Sequence, residues 1–272
     1  MEYRTISQDS ILKIITKKDK LFGGDFCIDT YQNCEYGCKY CDSSIDKVIY
    51  VKLDADKILE KKLRNIKKGV IIVGSVNDPY QKSEEKYEIT KKVLKIIKKY
   101  EFSCHILTKS NLILRDIDLL KDIDCLVTIS LISLNETITQ IFEKNVMSTK
   151  YRLKTVEKLV NNGIKTGVAL IPLIPIIIDT ELDKIVKISE KYKAQHFLHK
   201  FLELKGDQKE IFLKIISTNY PSLLSKFKEL YKDRYQLEWT IVDKYNLKIS
   251  NLCKRYNISE KIYFQDNQYY PK

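Results

Sequence analysis

The chain has 272 residues, a formal charge of +12 at pH 7 and 44% hydrophobic side chains. That apolar content can build a large core and excludes a mainly disordered chain, while only 8 glycines and 5 prolines exclude collagen-like and low-complexity classes. The length suits one α/β barrel-like domain, or one domain with an appendage.

The opening residues MEYRTISQDS carry no basic-then-apolar leader. The longest apolar run, Val168–Ile178, is too short to span a bilayer and is interrupted by Pro172 and Pro175. A cytoplasmic protein without a membrane span is therefore expected. In a reducing compartment its seven cysteines do not read as a disulfide framework. Lysine pairs such as Lys61-Lys62 and Lys98-Lys99 read first as solvated helix faces, and second as attraction for a phosphate-bearing partner.

In chain order, a first strand is expected near Phe26–Asp29 and a helix over Asp54–Asn65. Val70–Val73, a continuous apolar run ended by Gly74, reads as a buried parallel strand. Ser83 is expected to cap a helix with Glu84 and Glu85 in its first turn and Lys98 and Lys99 in its last. A strand over Cys104–Thr108 follows, then a helix capped by Ser110 that buries Ile113, Leu114, Ile117 and Leu120. Leu126–Leu131 is the next strand. The helix over Lys150–Asn162 buries Leu153, Val156, Leu159 and Val160, and Gly163 ends it. Ile164–Ile171 is a strand, Thr180 is expected to cap a helix bearing Leu182, Ile185 and Val186, and Gln195–Phe201 is the last strand.

About six βα units in this order predict an α/β fold with a parallel sheet, open or curled into a partial barrel. Sites in such sheets lie at the C-terminal strand ends. The barrel is expected over residues 1–205, with a cluster loop at 30–42. Residues 206–272 read as a helical, Tyr-rich extension capping the same domain, with Trp239 in its core.

The sharpest feature is Cys34-Glu-Tyr-Gly-Cys38-Lys-Tyr-Cys41, directly after the first strand. Three soft thiolates can hold three irons of a [4Fe–4S] cluster and leave the fourth iron open to a cofactor. A structural zinc site usually takes four ligands, and Cys27, inside the strand, is the only nearby fourth. Cys104, Cys125 and Cys253 read as small core residues, and His105 and His196 as packed or surface side chains.

This motif, with Tyr40 in its aromatic position and βα units after it, resembles the radical S-adenosylmethionine superfamily. The resemblance implies a partial (βα)6 barrel, a [4Fe–4S] cluster on Cys34, Cys38 and Cys41, and bound S-adenosylmethionine. It further implies an electron donor such as flavodoxin or ferredoxin, and cleavage of the cofactor to a 5′-deoxyadenosyl radical. Gly74-Ser-Val-Asn-Asp-Pro-Tyr80, Thr108-Lys-Ser110 and Phe201-Leu-Glu-Leu-Lys-Gly206 are similar to the spore photoproduct lyase-like branch. The intervals from Ser75 to Lys109 and on to Ser130, 34 and 21 residues, resemble those separating that lyase's catalytic cysteine and its carboxylate-binding lysine and serine. By position, Lys109 and Ser130 are then expected at the cofactor carboxylate and Asn77 with Asp78 at its amino group, with Tyr40 and Ser75 beside it.

The sequence departs from the lyase at Ser75, where the lyase has the thiol that returns a hydrogen atom to product; an O–H bond is stronger and a poorer donor. A relative acting on a small phosphorylated, nucleoside-like substrate is expected, with Tyr36, Tyr80, His199 and Lys200 as its candidate contacts. Among lyase-like enzymes, queuine lyase, which releases queuine from queuosine 5′-phosphate, fits this profile best. A nucleic-acid photoproduct repair lyase and a peptide-modifying enzyme are the alternatives.

Overall fold

The structure is a computed structural model that describes residues 1–17 and 21–264. Its main sheet has six parallel strands: β3 (Phe26–Ile28), β6 (Val70–Val73), β7 (Ser103–Thr108), β8 (Cys125–Leu131), β9 (Lys165–Leu173) and β10 (Phe197–Phe201). Each lies beside the next in chain order, the layout that right-handed βα crossovers produce. A short strand, β2 (Leu12–Ile14), runs antiparallel on β3, so among the described residues β2 and β10 are the outermost strands of this sheet. A separate three-stranded sheet joins β1 (Glu2–Ile6), β4 (Tyr31–Gln32) and β5 (Val48–Lys52), with β5 in the middle.

The crossover helices are α1 (Ala55–Leu63), α2 (Ser83–Tyr87), α3 (Ile89–Lys99), α4 (Ile117–Lys121), α5 (Glu136–Phe142), α6 (Thr149–Asn161) and α7 (Leu182–Lys191). They cover one face of the sheet, where Ile71, Val73, Ile106, Val127 and Ile129 join the large apolar core. The alternate residues Val70, Leu126, Ala169 and Leu198 face the other way and pack with Ile262 and Phe264. On that face a polar chain crosses three strands. His105 Nδ1 lies 3.2 Å from the Phe22 carbonyl, so it carries the proton. His105 Nε2 then accepts from the Thr128 hydroxyl at 2.7 Å, whose oxygen accepts from His196 Nε2–H at 2.7 Å. Gly167 makes room for this chain, since a Cβ there would stand 2.3 Å from His196.

Several local expectations are corrected. Ser83 does not cap α2; it lies inside it, and its N–H donates to the Glu35 carboxylate at 2.7 Å. The helix expected from Ser83 to Lys99 is broken at Glu88, which takes a left-handed conformation, φ 51°. Ser110 does cap its element, accepting from Leu112 N, but that element opens as a 3-10 turn, Asn111–Asp116, before α4. Glu181, not Thr180, precedes α7, and its carboxylate takes the Ser133 hydroxyl and Leu134 N–H. The extension forms α8 (Asp207–Asn219), α9 (Leu224–Leu230) and α10 (Trp239–Arg255). Its Phe212, Phe227 and Ile249 join the apolar cluster of the sheet, but Trp239 is 71% exposed and no part of a core. Residues 265–272 of the expected extension lie outside the described ones. Among the described residues no helix is long and apolar enough to cross a membrane.

Candidate functional site

A cavity of about 430 Å³ opens at the C-terminal ends of the strands, within the range typical of small-molecule sites. Its walls bring together the three motif thiols of Cys34, Cys38 and Cys41, with Tyr36 and Tyr40 from the same loop. Ser75, Asn77 and Asp78 enter from the end of β6, Lys109 from the end of β7, and Lys200 from β10.

Backbone bonds hold the cysteine loop in place: Cys34 N to Ser43 O at 2.8 Å, Cys41 N to Cys38 O at 3.1 Å, and Lys39 N to Phe142 O at 2.8 Å. Between the first two cysteines Glu35 braces the loop, accepting from the Tyr3 hydroxyl and from Ser83 N. The Tyr40 hydroxyl donates to Glu143 Oε1. Glu143 Oε2 pairs at 2.8 Å with Arg152 Nη2, and neither side chain is exposed. Arg152 Nη1 also donates to Ser130 O at 2.9 Å, tying the pair to β8.

The loop after β6 turns at Gly74, φ 84°, where a Cβ would stand 2.4 Å from Pro79. Asp29 then clamps the turn. Its carboxylate accepts from the Ser75 hydroxyl at 3.0 Å, Val76 N at 2.9 Å and Asn77 N at 3.1 Å. Asp78 joins β6 to β7 by accepting from Tyr80 N, the Thr108 hydroxyl and Lys109 N at 2.9, 2.6 and 2.7 Å. Its oxygens are therefore already engaged within the fold. Asn77 differs. Its Nδ2 donates to Tyr31 O at 3.2 Å, which fixes the amide orientation, and its buried Oδ1 has no partner.

Electrostatics around the loop suit a bound cation cluster. Burial pushes the Cys34 thiol up to about 12, with the Asp78 charge adding to it, and burial also raises Cys38 despite nearby Lys109. Thiols held protonated by burial become ligands only where metal charge offsets the loss of water. Burial acts to lower the Lys109 ammonium, yet Cys38, Glu143 and Asp78 around it leave it raised, hence charged. Among the described residues no three His, Cys, Asp or Glu side chains gather around one metal ion. A [4Fe–4S] cluster asks instead for three thiolates, each on its own iron. Three thiols that metal charge would convert to thiolates, the Lys109 ammonium and the unpaired Asn77 amide oxygen fit such a cluster with an amino-acid moiety beside it.

Three expected contacts lie off this wall. Ser130 is buried in β8 and spends its hydroxyl on Ile171 O at 3.0 Å. Tyr80, 1% exposed, turns into the core and donates to Asp116 Oδ2 at 3.1 Å, so it offers no face to a base. His199 is not on the cavity wall, unlike its neighbour Lys200, and meets Asn246 Oδ1 of α10 at 2.8 Å; the register of β10 on β9 shifts between His199 and Phe201. Sequence reasoning missed Glu143 and Arg152, since single charges in a charge-rich chain carry no signal. It also missed Glu203, Lys205 and Gln208 on the cavity wall. The Phe201–Gly206 segment was noted for its resemblance alone, although its charged residues bordered the expected site.

A model of the radical SAM superfamily matches residues 28–189. An uncharacterized protein of Methanocaldococcus jannaschii is 32% identical over 232 residues, covering 79% of this chain and 85% of its own. One from Mycobacterium tuberculosis is 22% identical over 228 residues, 76% of this chain and 67% of its own. Among solved structures, a spore photoproduct lyase variant with bound AdoMet and dinucleoside spore photoproduct aligns with TM-score 0.69 at 15% identity, over 88% of this chain and 76% of its own. Streptococcus suis SuiB bound to S-adenosylmethionine aligns with TM-score 0.60 at 13% identity, over 86% of this chain and 48% of its own. At such identities the structures show a shared fold. The family match spans more than half of the chain and begins on the strand that leads into the three cysteines. This chain is a member of the radical SAM superfamily, whose enzymes use a [4Fe–4S] cluster and S-adenosylmethionine.

Proposed function

We propose that this protein is a cytoplasmic radical SAM lyase acting on a small phosphorylated modified nucleoside, with queuosine 5′-phosphate as substrate and free queuine as product. Cys34, Cys38 and Cys41 would hold the cluster. Lys109 would face the cofactor carboxylate and Asn77 Oδ1 its amino group, while Asp78 shapes the wall between them. S-adenosylmethionine held there beside the cluster would supply the radical chemistry, hydrogen-atom abstraction from the substrate, on receipt of one electron.

The observation that carries the substrate reading is the charge on the wall formed by β10 and the segment after it. Lys200 and Lys205 both line the cavity, flanking Glu203 at 3.3 and 2.7 Å. Both lysine side chains are more than half exposed and share one carboxylate, so two positive charges face one negative charge and a phosphate could be added between them. The cavity volume suits a cofactor fragment with a small ligand better than duplex nucleic acid. A second observation speaks against a spore photoproduct relay: Ser75 presents a hydroxyl bonded to Asp29, where a thiol donor would be needed. The test is anaerobic turnover of queuosine 5′-phosphate with S-adenosylmethionine and reductant, followed as free base and 5′-deoxyadenosine by mass spectrometry. Base release that depends on S-adenosylmethionine, and falls roughly tenfold for the dephosphorylated nucleoside, supports the proposal. Repair of spore photoproduct DNA without base release would replace it with the repair reading, and modification of a peptide would replace it with the third.

A further inference from the structure

Gln208 stands in the first turn of α8, beyond the segment that the family model matches, and is 4% exposed. Its Nε2 donates to the carbonyl of Lys39, the residue between Cys38 and Tyr40. A carbonyl only accepts, so this contact fixes which end of the amide is nitrogen. The remaining atom, Oε1, is buried, has no hydrogen-bond partner and belongs to a side chain lining the same cavity as the three thiols. Buried acceptors are nearly always paired, so an unpaired one on a cavity wall points to a donor on whatever fills the cavity. Two other unpaired buried polar atoms, Asn77 Oδ1 and Ser44 Oγ, also belong to cavity-lining residues.

We propose that Gln208 Oε1 accepts a hydrogen bond from an N–H or O–H group of the molecule bound in this cavity, making Gln208 a specificity-determining residue contributed by the C-terminal extension. This rests on the reading that the cavity holds S-adenosylmethionine and its substrate. A carboxylate or phosphate offers only acceptors and is disfavoured at this point; an exocyclic amine or a hydroxyl is matched. Because the Lys39 carbonyl holds the amide from behind, the acceptor is oriented before the ligand arrives. The same contact couples α8 to the cysteine loop, so ligand recognition and cluster placement share one side chain.

The donor group could be the adenine amine of S-adenosylmethionine or a group on the nucleoside substrate, and the test separates them. Equilibrium binding is measured on the cluster-loaded, unreduced protein and its Gln208→Met variant, with iron content confirming that both are loaded. The probes are S-adenosylmethionine, its analogue with hydrogen in place of the adenine amine, and queuosine 5′-phosphate. Roughly tenfold weaker S-adenosylmethionine binding in the variant, with no such difference for the analogue, identifies the adenine amine as donor. Unchanged S-adenosylmethionine binding with roughly tenfold weaker queuosine 5′-phosphate binding identifies the substrate. Unchanged S-adenosylmethionine affinity, with queuosine 5′-phosphate either unaffected by the change or not bound by the wild type, overturns the inference. Should the variant fail to load its cluster, Gln208→Lys, which keeps an N–H donor for the Lys39 carbonyl and removes the acceptor, is put through the same comparison. Equal affinity of both proteins for every probe overturns the inference there too. A lack of queuosine 5′-phosphate binding beside weakened S-adenosylmethionine binding in the variant counts against the substrate reading and not against Gln208.

Discussion

Replacing Arg152 by Met isolates the contribution of the charge pair behind the cysteine loop. The Arg152 and Glu143 side chains are both fully buried and stand 2.8 Å apart, so solvent does not screen them. Removing the guanidinium leaves the buried Glu143 carboxylate without its paired counter-charge, with only the Tyr40 hydroxyl bond and the field of Lys109 to offset it. Breaking a buried pair from one side costs about 3–5 kcal/mol, well above the 0–1 kcal/mol of an exposed pair. The lost Arg152 bond to Ser130 O adds about 1 kcal/mol. The double variant Glu143→Gln with Arg152→Met removes both charges, and should recover more than half of the loss because the glutamine can still accept from Tyr40. Urea unfolding of the anaerobic, cluster-loaded proteins measures both quantities. A loss below about 1 kcal/mol for the single variant, or no recovery in the double one, would refute the argument that burial makes this pair count.

Acid should destabilise the fold through its two packed histidines. Burial lowers His105 to about 4 and His196 to about 3, the charge of His105 adding to the effect on His196. Since the unfolded values lie near 6.5, the unfolded chain binds more protons between those limits, so this contribution is fully present above pH 6.5 and falls as pH drops toward 4. Urea unfolding of the cluster-free protein should show a loss of about 1.4 kcal/mol per pH unit for each histidine below pH 6, and a His105→Gln, His196→Gln double variant should flatten that slope; an unchanged slope would be a contradiction. Lys109→Ala should keep its iron but bind S-adenosylmethionine about ten- to a hundredfold more weakly, as loss of a charge-assisted contact of about 1.5–3 kcal/mol requires. Equal affinity in a titration of the loaded protein would remove Lys109 from the cofactor site.

The six parallel strands were legible because buried parallel strands are unbroken apolar runs, and Val70–Val73 shows all four residues buried. The side sheet was not, although Val48-Ile49-Tyr50-Val51 is β-branched enough to suggest β5; β1 is exposed along almost its whole length and has no apolar alternation. The caps expected at Ser83 and Thr180 failed for different reasons. Ser83 already lies in α2, where its N–H goes to the distant Glu35 carboxylate, whereas α7 begins one residue later than a Thr180 cap needs, after Glu181, whose carboxylate serves Ser133 and Leu134. At the site, spacing located the residues that enter from strand ends and the cysteine loop, because local sequence fixes those positions. It did not locate Ser130 relative to the wall, nor separate Lys200 from His199. Which face of a strand looks into the cavity depends on how the sheet curls, and one residue of register reverses it. Glu143 with Arg152, and Gln208 with Lys39, are paired across 9 and 169 residues; only the fold reveals the second pairing.

The central claim is that Cys34, Cys38 and Cys41 carry a cluster that works on S-adenosylmethionine. The direct measurement is iron content together with 5′-deoxyadenosine formation, by mass spectrometry, after anaerobic reconstitution and reduction in the presence of S-adenosylmethionine. The wild type and Cys253→Ala, whose thiol is buried far along the chain in α10, should hold about four irons per chain and form 5′-deoxyadenosine. Cys34→Ala, Cys38→Ala and Cys41→Ala should each lose both. A Cys38→Ala protein that retains a full cluster and still produces 5′-deoxyadenosine would contradict the account.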